Sequence, residues 1–224
     1  MDLTKIEYLG LDRVLKRGTG EVIEQEDGVL FLRDTVSDAC LLACEDAALG
    51  AAVLERHAGL DYRSLMVPDH ELGKEIFSRY HFDELLECYQ VAYYGEPPVQ
   101  SGSLTIRAAA AEDEPFFAEH YEYLSPEELR QIIAEGKALI GLEDGQPVGF
   151  IGEHSEGSMG LLRILPQFRR KGYAEALEKA LIAKTLREGY IPFGQVEKSN
   201  QASLALQRKL GMTVSEKLIC WMWK

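Results

Sequence analysis

The run Arg169-Arg170-Lys171-Gly172-Tyr173-Ala174 brings three consecutive cations up against a single glycine. Before it lies an apolar run, Leu161 to Leu165, interrupted by Arg163. After it comes a helical pattern with Ala174, Leu177, Ala180 and Leu181 on one face, and Glu175 and Lys179 four residues apart. Pro166 ends the apolar run, because proline cannot donate to a strand ladder. The pattern is therefore strand, basic loop, helix. A helix N-terminus carries partial positive charge and several unbonded N–H groups. Three cations there are unfavourable alone and favourable around an anion. Gly172 has no Cβ, so a bulky anion can approach the backbone. A phosphate fits this arrangement; a solvated basic turn is the plainer alternative. The loop lacks the second glycine and the Lys-Ser/Thr pair of a Walker loop, and the further glycines and downstream acid of a dinucleotide fingerprint.

Other elements must position that loop. In the first half, Val29 to Arg33 and Ala39 to Cys44 read as two strands of a hairpin, with Cys40 and Cys44 on one face. Ala47 to His57 reads as a helix stopped by Gly59. Asp69 is a cap for a helix through Arg79, with Leu72, Ile76 and Phe77 as its stripe. Phe82 to Tyr89 reads as another short helix and Gln90 to Tyr94 as a strand. The Gly/Pro/Ser-rich segment 95–103 is a linker, which divides the chain into domains 1–100 and 101–224. Beyond it come a strand, Leu104 to Arg107, and a helix, Glu112 to Tyr123. Ser125-Pro126-Glu127-Glu128 combines a capping box with proline at the first helical position. Its helix carries Leu129, Ile132 and Ile133 and ends at Gly136. Ala138 to Leu142 and Val148 to Gly152 form a hairpin across Asp144-Gly145, and a turn at Ser155 to Ser158 leads into the strand before the basic loop. After the following helix stops at Gly189 come a strand, Ile191 to Glu197, a helix from Ser199-Asn200 to Gly211, and a last strand, Thr213 to Trp223.

These residues carry a family resemblance. Arg169-x-x-Gly172-x-Ala174 resembles the acyl-CoA loop of the GNAT N-acetyltransferase superfamily, Arg/Gln-x-x-Gly-x-Gly/Ala, and Ile164 to Phe168 resembles its lead-in. Asn200-x-x-Ser203 and Lys209-Leu210-Gly211-Met212 resemble that family's second CoA segment. The order β-α-α-β-β-β-α-β-α-β over 104–224 resembles the whole GNAT fold. Val196 to Asn200 with Pro166 to Arg169 further resembles the glycine N-acyltransferase-like branch, in which a degenerate GNAT-like half precedes the catalytic one. The implied fold class is α/β (α+β): a mixed, mostly antiparallel sheet flanked by helices, preceded by a smaller α/β N-terminal half.

The resemblance implies a co-substrate, acetyl-CoA or another acyl-CoA, and transfer of its acyl group to the amine of a small molecule. The N–H groups of Arg169, Arg170, Lys171, Gly172, Tyr173 and Ala174 would hold the pyrophosphate. The backbone of Leu162, Arg163 and Ile164 would align the pantetheine, and Asn200 and Ser203 would contact the cofactor. Two other readings are a non-catalytic acyl-CoA-binding or regulatory module and a protein N-terminal acetyltransferase. Acyl transfer also needs a proton taken from the amine and one supplied to the leaving thiolate. Here the chain departs from the family: Gln207 stands at the usual tyrosine, and Ser158 and Gly160 stand where a Glu or His is frequent. Glu153, His154, Glu156 and Glu197 lie near enough to serve through water, and of these Glu153 and Glu156 are the candidates for the base.

Composition narrows the function classes. The chain has 224 residues and net charge −13. Residues 1–100 hold nine Lys and Arg against twenty Asp and Glu, and residues 101–224 hold fifteen against seventeen. Such acidity disfavours nucleic acid as a partner and can draw in cationic amines. No apolar run reaches membrane-spanning length, and no signal-like segment opens the chain. Cys40, Cys44, Cys88 and Cys220 form no CxxC and no zinc spacing with histidine. The expectation is a cytoplasmic, metal-free monomer or homodimer that meets neither nucleic acid nor membrane.

Overall fold

The computed structural model describes residues 1–100 and 102–224; Ser101, within the expected linker, lies outside the described residues. In chain order the elements are α1 (Leu9–Lys16), β1 (Gly20–Glu26), β2 (Val29–Asp34), β3 (Ala39–Cys44), α2 (Ala47–Arg56), β4 (Ser64–Val67), α3 (His70–Arg79) and β5 (Glu84–Ala92). They continue with β6 (Thr105–Ala108), α4 (Glu114–His120), α5 (Pro126–Ala134), β7 (Ala138–Glu143), β8 (Gln146–Glu153), β9 (Met159–Ile164), α6 (Tyr173–Arg187), β10 (Phe193–Glu197), α7 (Gln201–Lys209) and β11 (Thr213–Trp223). The chain forms two compact units. One comprises residues 1–92, 195–208 and 212–224, the other residues 93–194 and 209–211. Each unit is discontinuous in sequence, the first taking in the last strand as well as the N-terminal residues.

The first unit is built on strands in the order β1-β2-β3-β4-β11-β5, with residues 195–197 of β10 beside β5. β3 and β4 run parallel, while β11 is antiparallel to both β4 and β5. Helices α2 and α3 cover one face through Val53, Leu54, Leu72 and Ile76, which pack on Phe31, Cys40, Leu42, Leu65 and Cys220. Helix α1 covers the other with Leu11 and Val14 on Leu30, Leu32, Leu41 and Met66. Cys40 and Cys44 share the first of these faces. Asp46 caps α2, and Asp69 Oδ1 accepts from the N–H of Leu72 at 2.9 Å to cap α3. The helix expected at Phe82 to Tyr89 does not form; its residues from Glu84 to Tyr89 belong to β5. Glu84-Leu85-Leu86-Glu87 is good helix sequence, but β5 pairs with β11 from Glu84 to Ala92, and that pairing overrides a weak local preference.

The second unit holds the basic loop. Its sheet runs β6-β7-β8-β9, antiparallel throughout, and Gly194 of β10 adds one parallel pair with Met159. A Cβ at Gly194 would lie 2.8 Å from the Met159 carbonyl oxygen, so only glycine fits. Helices α4 and α5 cover one face: Phe117, Leu129, Ile132 and Ile133 pack on Ala138, Ile140, Phe150 and Leu161. The Phe117 and Phe150 rings stack at 4.1 Å. Ser125 forms the capping box of α5 with Glu128. Side chains alternate along a strand, and next to Ile140 a Cβ at Gly141 would point to Leu177 of α6 at 3.4 Å. Helix α6 therefore covers the opposite face. The Asp144-Gly145 turn has φ of 50° and 82°, as a two-residue hairpin turn requires. The fold is thus mixed α/β, a mostly antiparallel sheet flanked by helices.

Candidate functional site

Strand β9 feeds the basic loop and is bulged. The pairs Phe150↔Arg163 and Gly152↔Gly160 span two steps on β8 and three on β9. The extra residue falls by Leu161, a buried non-glycine with φ of 54°. Gly149 lets β8 approach here, since a Cβ on it would lie 2.2 Å from the Arg163 carbonyl oxygen. Leu162, Arg163 and Ile164 follow the bulge. A single turn of 3-10 helix, Pro166–Phe168, then leads to Arg169.

Two left-handed residues, Arg170 at φ 66° and Gly172 at φ 83°, curl the loop into α6. Gly172 is the N-cap of this 15-residue helix, and among the described residues no side chain caps the N–H groups behind it. A Cβ on Gly172 would meet nothing within 4 Å, so open space lies over the helix end. A hollow of about 290 Å³ adjoins it, with Ser103, Leu104, Lys171, Gly172, Ala176 and Lys179 among its lining residues. Uncapped N–H groups, partial positive charge and open space suit a phosphate.

The cations are not all uncommitted. Lys171 Nζ lies 3.0 Å from Oε2 of Glu143, at the end of β7, and above the rings of Phe168 and Tyr173 at 5.3 and 5.7 Å. The Tyr173 hydroxyl also donates to Glu143, which pushes the phenol up to about 12. Tyr173 and then Lys171 hold the Glu143 carboxyl below its usual range. Glu175 takes Lys179 at 2.8 Å and Lys209 at 2.5 Å, and those two lysines pull its carboxyl down to about 2. Arg169 Nε donates to the Ile164 carbonyl at 3.2 Å. Arg169 and Arg170 are exposed. An anion at this helix end would compete with Glu143 for Lys171.

The two expected catalytic carboxylates sit in different settings. Glu153 is buried, and its Oε1 accepts from the Thr185 hydroxyl of α6 at 2.8 Å. Its carboxylate thus faces α6. Glu156 lies in the following turn and accepts from the Ser158 hydroxyl. Burial, then Tyr123, then Glu156 push the Tyr121 phenol up to about 12. Tyr121 packs on the core beneath α4 and α5. Two features escape the sequence motifs: the Tyr121–Tyr123 pair, with ring centroids 5.4 Å apart, and the position of His154 against Gly160. Neither has a periodic signal, because both depend on how a turn folds back.

Asn200, Ser203 and Gln207 belong to the first unit. Asn200 Oδ1 accepts from the Ser203 N–H at 3.0 Å, capping α7. Gln207 is buried, and its carbonyl accepts from the Met212 N–H at 3.0 Å. Cys40, Cys44, Cys88 and Cys220 are buried, and burial pushes each thiol up to about 12, so none is a nucleophile. Among the described residues no group of three or more His, Cys, Asp or Glu is placed to hold a metal ion. No helix among them is long and apolar enough to cross a membrane.

Residues 141–222 match the sequence model of the FR47-like protein family, a GNAT-related family. A GCN5-related N-acetyltransferase from Kribbella flavida superposes with a TM-score of 0.60 at 15% identity, covering 98% of this chain and 94% of its own. The chain has the GNAT fold. A putative GNAT-family acetyltransferase from Novosphingobium aromaticivorans gives a TM-score of 0.58 at 15% identity, over 94% of this chain and 93% of that one. A Drosophila protein gives 0.72 at 15% identity, over 98% and 90%. The likeness therefore extends over the N-terminal residues that the FR47-like match leaves out. No curated protein matches the chain in sequence. Within this GNAT fold, the basic loop leads from the strand that precedes α6 into the N-terminus of that helix.

Proposed function

We propose that the protein is an N-acyltransferase that moves an acyl group, acetyl in the first instance, from acyl-CoA to the amine of a small molecule. The observation that carries this reading is the uncapped N-terminus of α6 beneath Gly172, flanked by Arg169, Arg170 and Lys171. Bound there, acyl-CoA supplies an activated thioester carbonyl. The chain's part is to hold the pyrophosphate on the N–H groups of 169–174, to align the pantetheine along Leu162, Arg163 and Ile164, and to manage protons. Asn200 and Ser203 are the further cofactor contacts in this proposal.

A non-catalytic acyl-CoA-binding role is the second reading, favoured by the buried Gln207 at the place of the proton-donating tyrosine. Titration with acetyl-CoA, followed by thiol release with a panel of amines, separates the two: binding with release supports the enzyme, binding without release the module. Gly172→Glu places bulk and negative charge on the loop's open side. It is expected to weaken acetyl-CoA binding at least tenfold in a folded protein, and unchanged affinity would remove the loop from the site.

A further inference from the structure

Gly160 is the second residue of β9, where the family resemblance leads one to look for a basic or acidic side chain. It has none, yet the space is filled. A Cβ on Gly160 would lie 2.3 Å from His154 Nε2 and 2.5 Å from its Cδ2. The imidazole therefore occupies the volume that a side chain at 160 would take. The turn that folds it there is tight: the His154 N–H donates to the Ser158 carbonyl at 2.8 Å, and the Gly157 N–H donates to the His154 carbonyl at 2.8 Å. Gly157 has φ of 98°, a conformation that favours glycine.

The sheet fixes which face this imidazole is on. Gly160 pairs with Gly152, and Gly152 pairs with Ala138. Paired residues share a face, and Ala138 belongs to the core beneath α4 and α5. His154 thus lies on the α4/α5 face, along with Arg163, which pairs with Phe150 of that core. Glu153, one residue earlier, faces α6. His154 is half-buried, and among the described residues neither ring nitrogen is hydrogen-bonded. Glu156 lies in the same turn, and Arg163, Tyr121, its ring neighbour Tyr123, and His120, whose ring meets Phe116, are titratable groups by this face. We propose that His154, standing in for the absent side chain of Gly160, is the general base of acyl transfer. This rests on the acyltransferase reading.

In the step assigned to it, the amine nitrogen bonds to the thioester carbonyl carbon while the C–S bond breaks. The amine proton passes to Nε2 of His154, directly or through one water, and is then returned to the leaving thiolate. Atoms and charge balance with no further reactant. A base in this role contributes roughly a hundredfold or more.

The test compares wild type, His154→Gln, and His154→Ala/Gly160→His, which moves the imidazole to the other chain position that reaches the same space. Each is measured by acetyl-CoA titration and by rate against pH with an amine that the wild type accepts. The expected result is a drop in kcat of about a hundredfold in His154→Gln, with acetyl-CoA affinity unchanged and the acid limb of the pH–rate profile lost. The double variant is expected to restore much of the rate and the limb. Wild-type rate and pH profile in His154→Gln would overturn the assignment while leaving the acyltransferase reading in place. Acetyl-CoA binding by the wild type with no turnover of any amine would overturn both the base and the enzyme, and no binding would remove the acyl-CoA reading itself.

Discussion

Glu143 and Lys171 form an ion pair that ties the cation beside Gly172 to the sheet: Nζ is 3.0 Å from Oε2, and the Tyr173 hydroxyl donates to the same carboxylate. The protein thus carries its own counter-anion next to the helix end proposed for a phosphate. A bound phosphate has to share Lys171 with it. Glu143→Gln is therefore expected to tighten acetyl-CoA binding two- to fivefold, about the scale of a solvent-exposed ion pair. The gain should shrink at high salt. Calorimetric titration at low and high ionic strength checks this; weaker binding in Glu143→Gln would mean that Glu143 orients Lys171 instead of occupying it.

Glu175 gives the fold a pH dependence of definite sign. Lys179 and then Lys209 lower its carboxyl from 4.5 to about 2 in the folded state. A depressed carboxyl stabilises the fold above its unfolded value, and that stability disappears as pH falls through the folded one. The contribution is complete above about pH 4.5 and lost between there and about pH 2. Glu175→Gln is expected to unfold at lower urea than wild type at pH 7, with the gap closing as pH drops below 4.5. A gap that stays constant with pH would show that the pair adds nothing through charge.

Gly73 sets how closely α3 lies on β11. A Cβ there would fall 2.5 Å from Cys220 Cβ and 2.6 Å from its Sγ. Both residues are buried, and a Cβ cannot swing away. Gly73→Ala is expected to cost about 1–3 kcal/mol, the scale of overpacking a filled core. Adding Cys220→Ala removes the sulfur but leaves the nearer carbon, so only part of the loss should return. Urea unfolding of the single and double variants decides it; full recovery in the double would place the strain on Sγ alone.

Much of this was readable from residue types. Asp69, Ser125-Pro126 and Asp144-Gly145 announced a cap, a capping box and a hairpin, because each acts through its own backbone. The basic loop was likewise visible, since its charge pattern contradicts the helix dipole. What could not be read depends on partners distant in sequence. Glu84 to Ala92 carries helix-compatible residues and becomes a strand because β11 pairs with it across more than a hundred residues. Helix α1 and strands β1 and β4 were not assigned for want of a clean period. At the site, one residue of register decides everything: Glu153 turns to α6 and His154 to the other face, and no spacing rule shows that an imidazole at 154 fills the space of a side chain at 160.

Arg170 is the residue at which binding and stability should part. Its φ of 66° is left-handed, a conformation that costs a non-glycine residue about 1–2 kcal/mol. Its side chain is exposed and makes no ion pair among the described residues, so nothing local repays that cost. A phosphate held at the α6 N-terminus would repay it, because the guanidinium can take two oxygens at once. Arg170→Gly removes the steric cost but adds about 0.4–1 kcal/mol of unfolded-chain freedom. The net expectation is a free protein that is more stable by about 0.5–1 kcal/mol and binds acetyl-CoA several-fold more weakly. Arg170→Asn tolerates the left-handed backbone without matching glycine's freedom in the unfolded chain, so it should gain stability and lose affinity together. Urea midpoints without ligand and calorimetry with acetyl-CoA give the two readings. A stabilised variant with undiminished affinity would show that the left-handed turn serves the loop's shape alone, and that the phosphate is held by Arg169, Lys171 and the backbone.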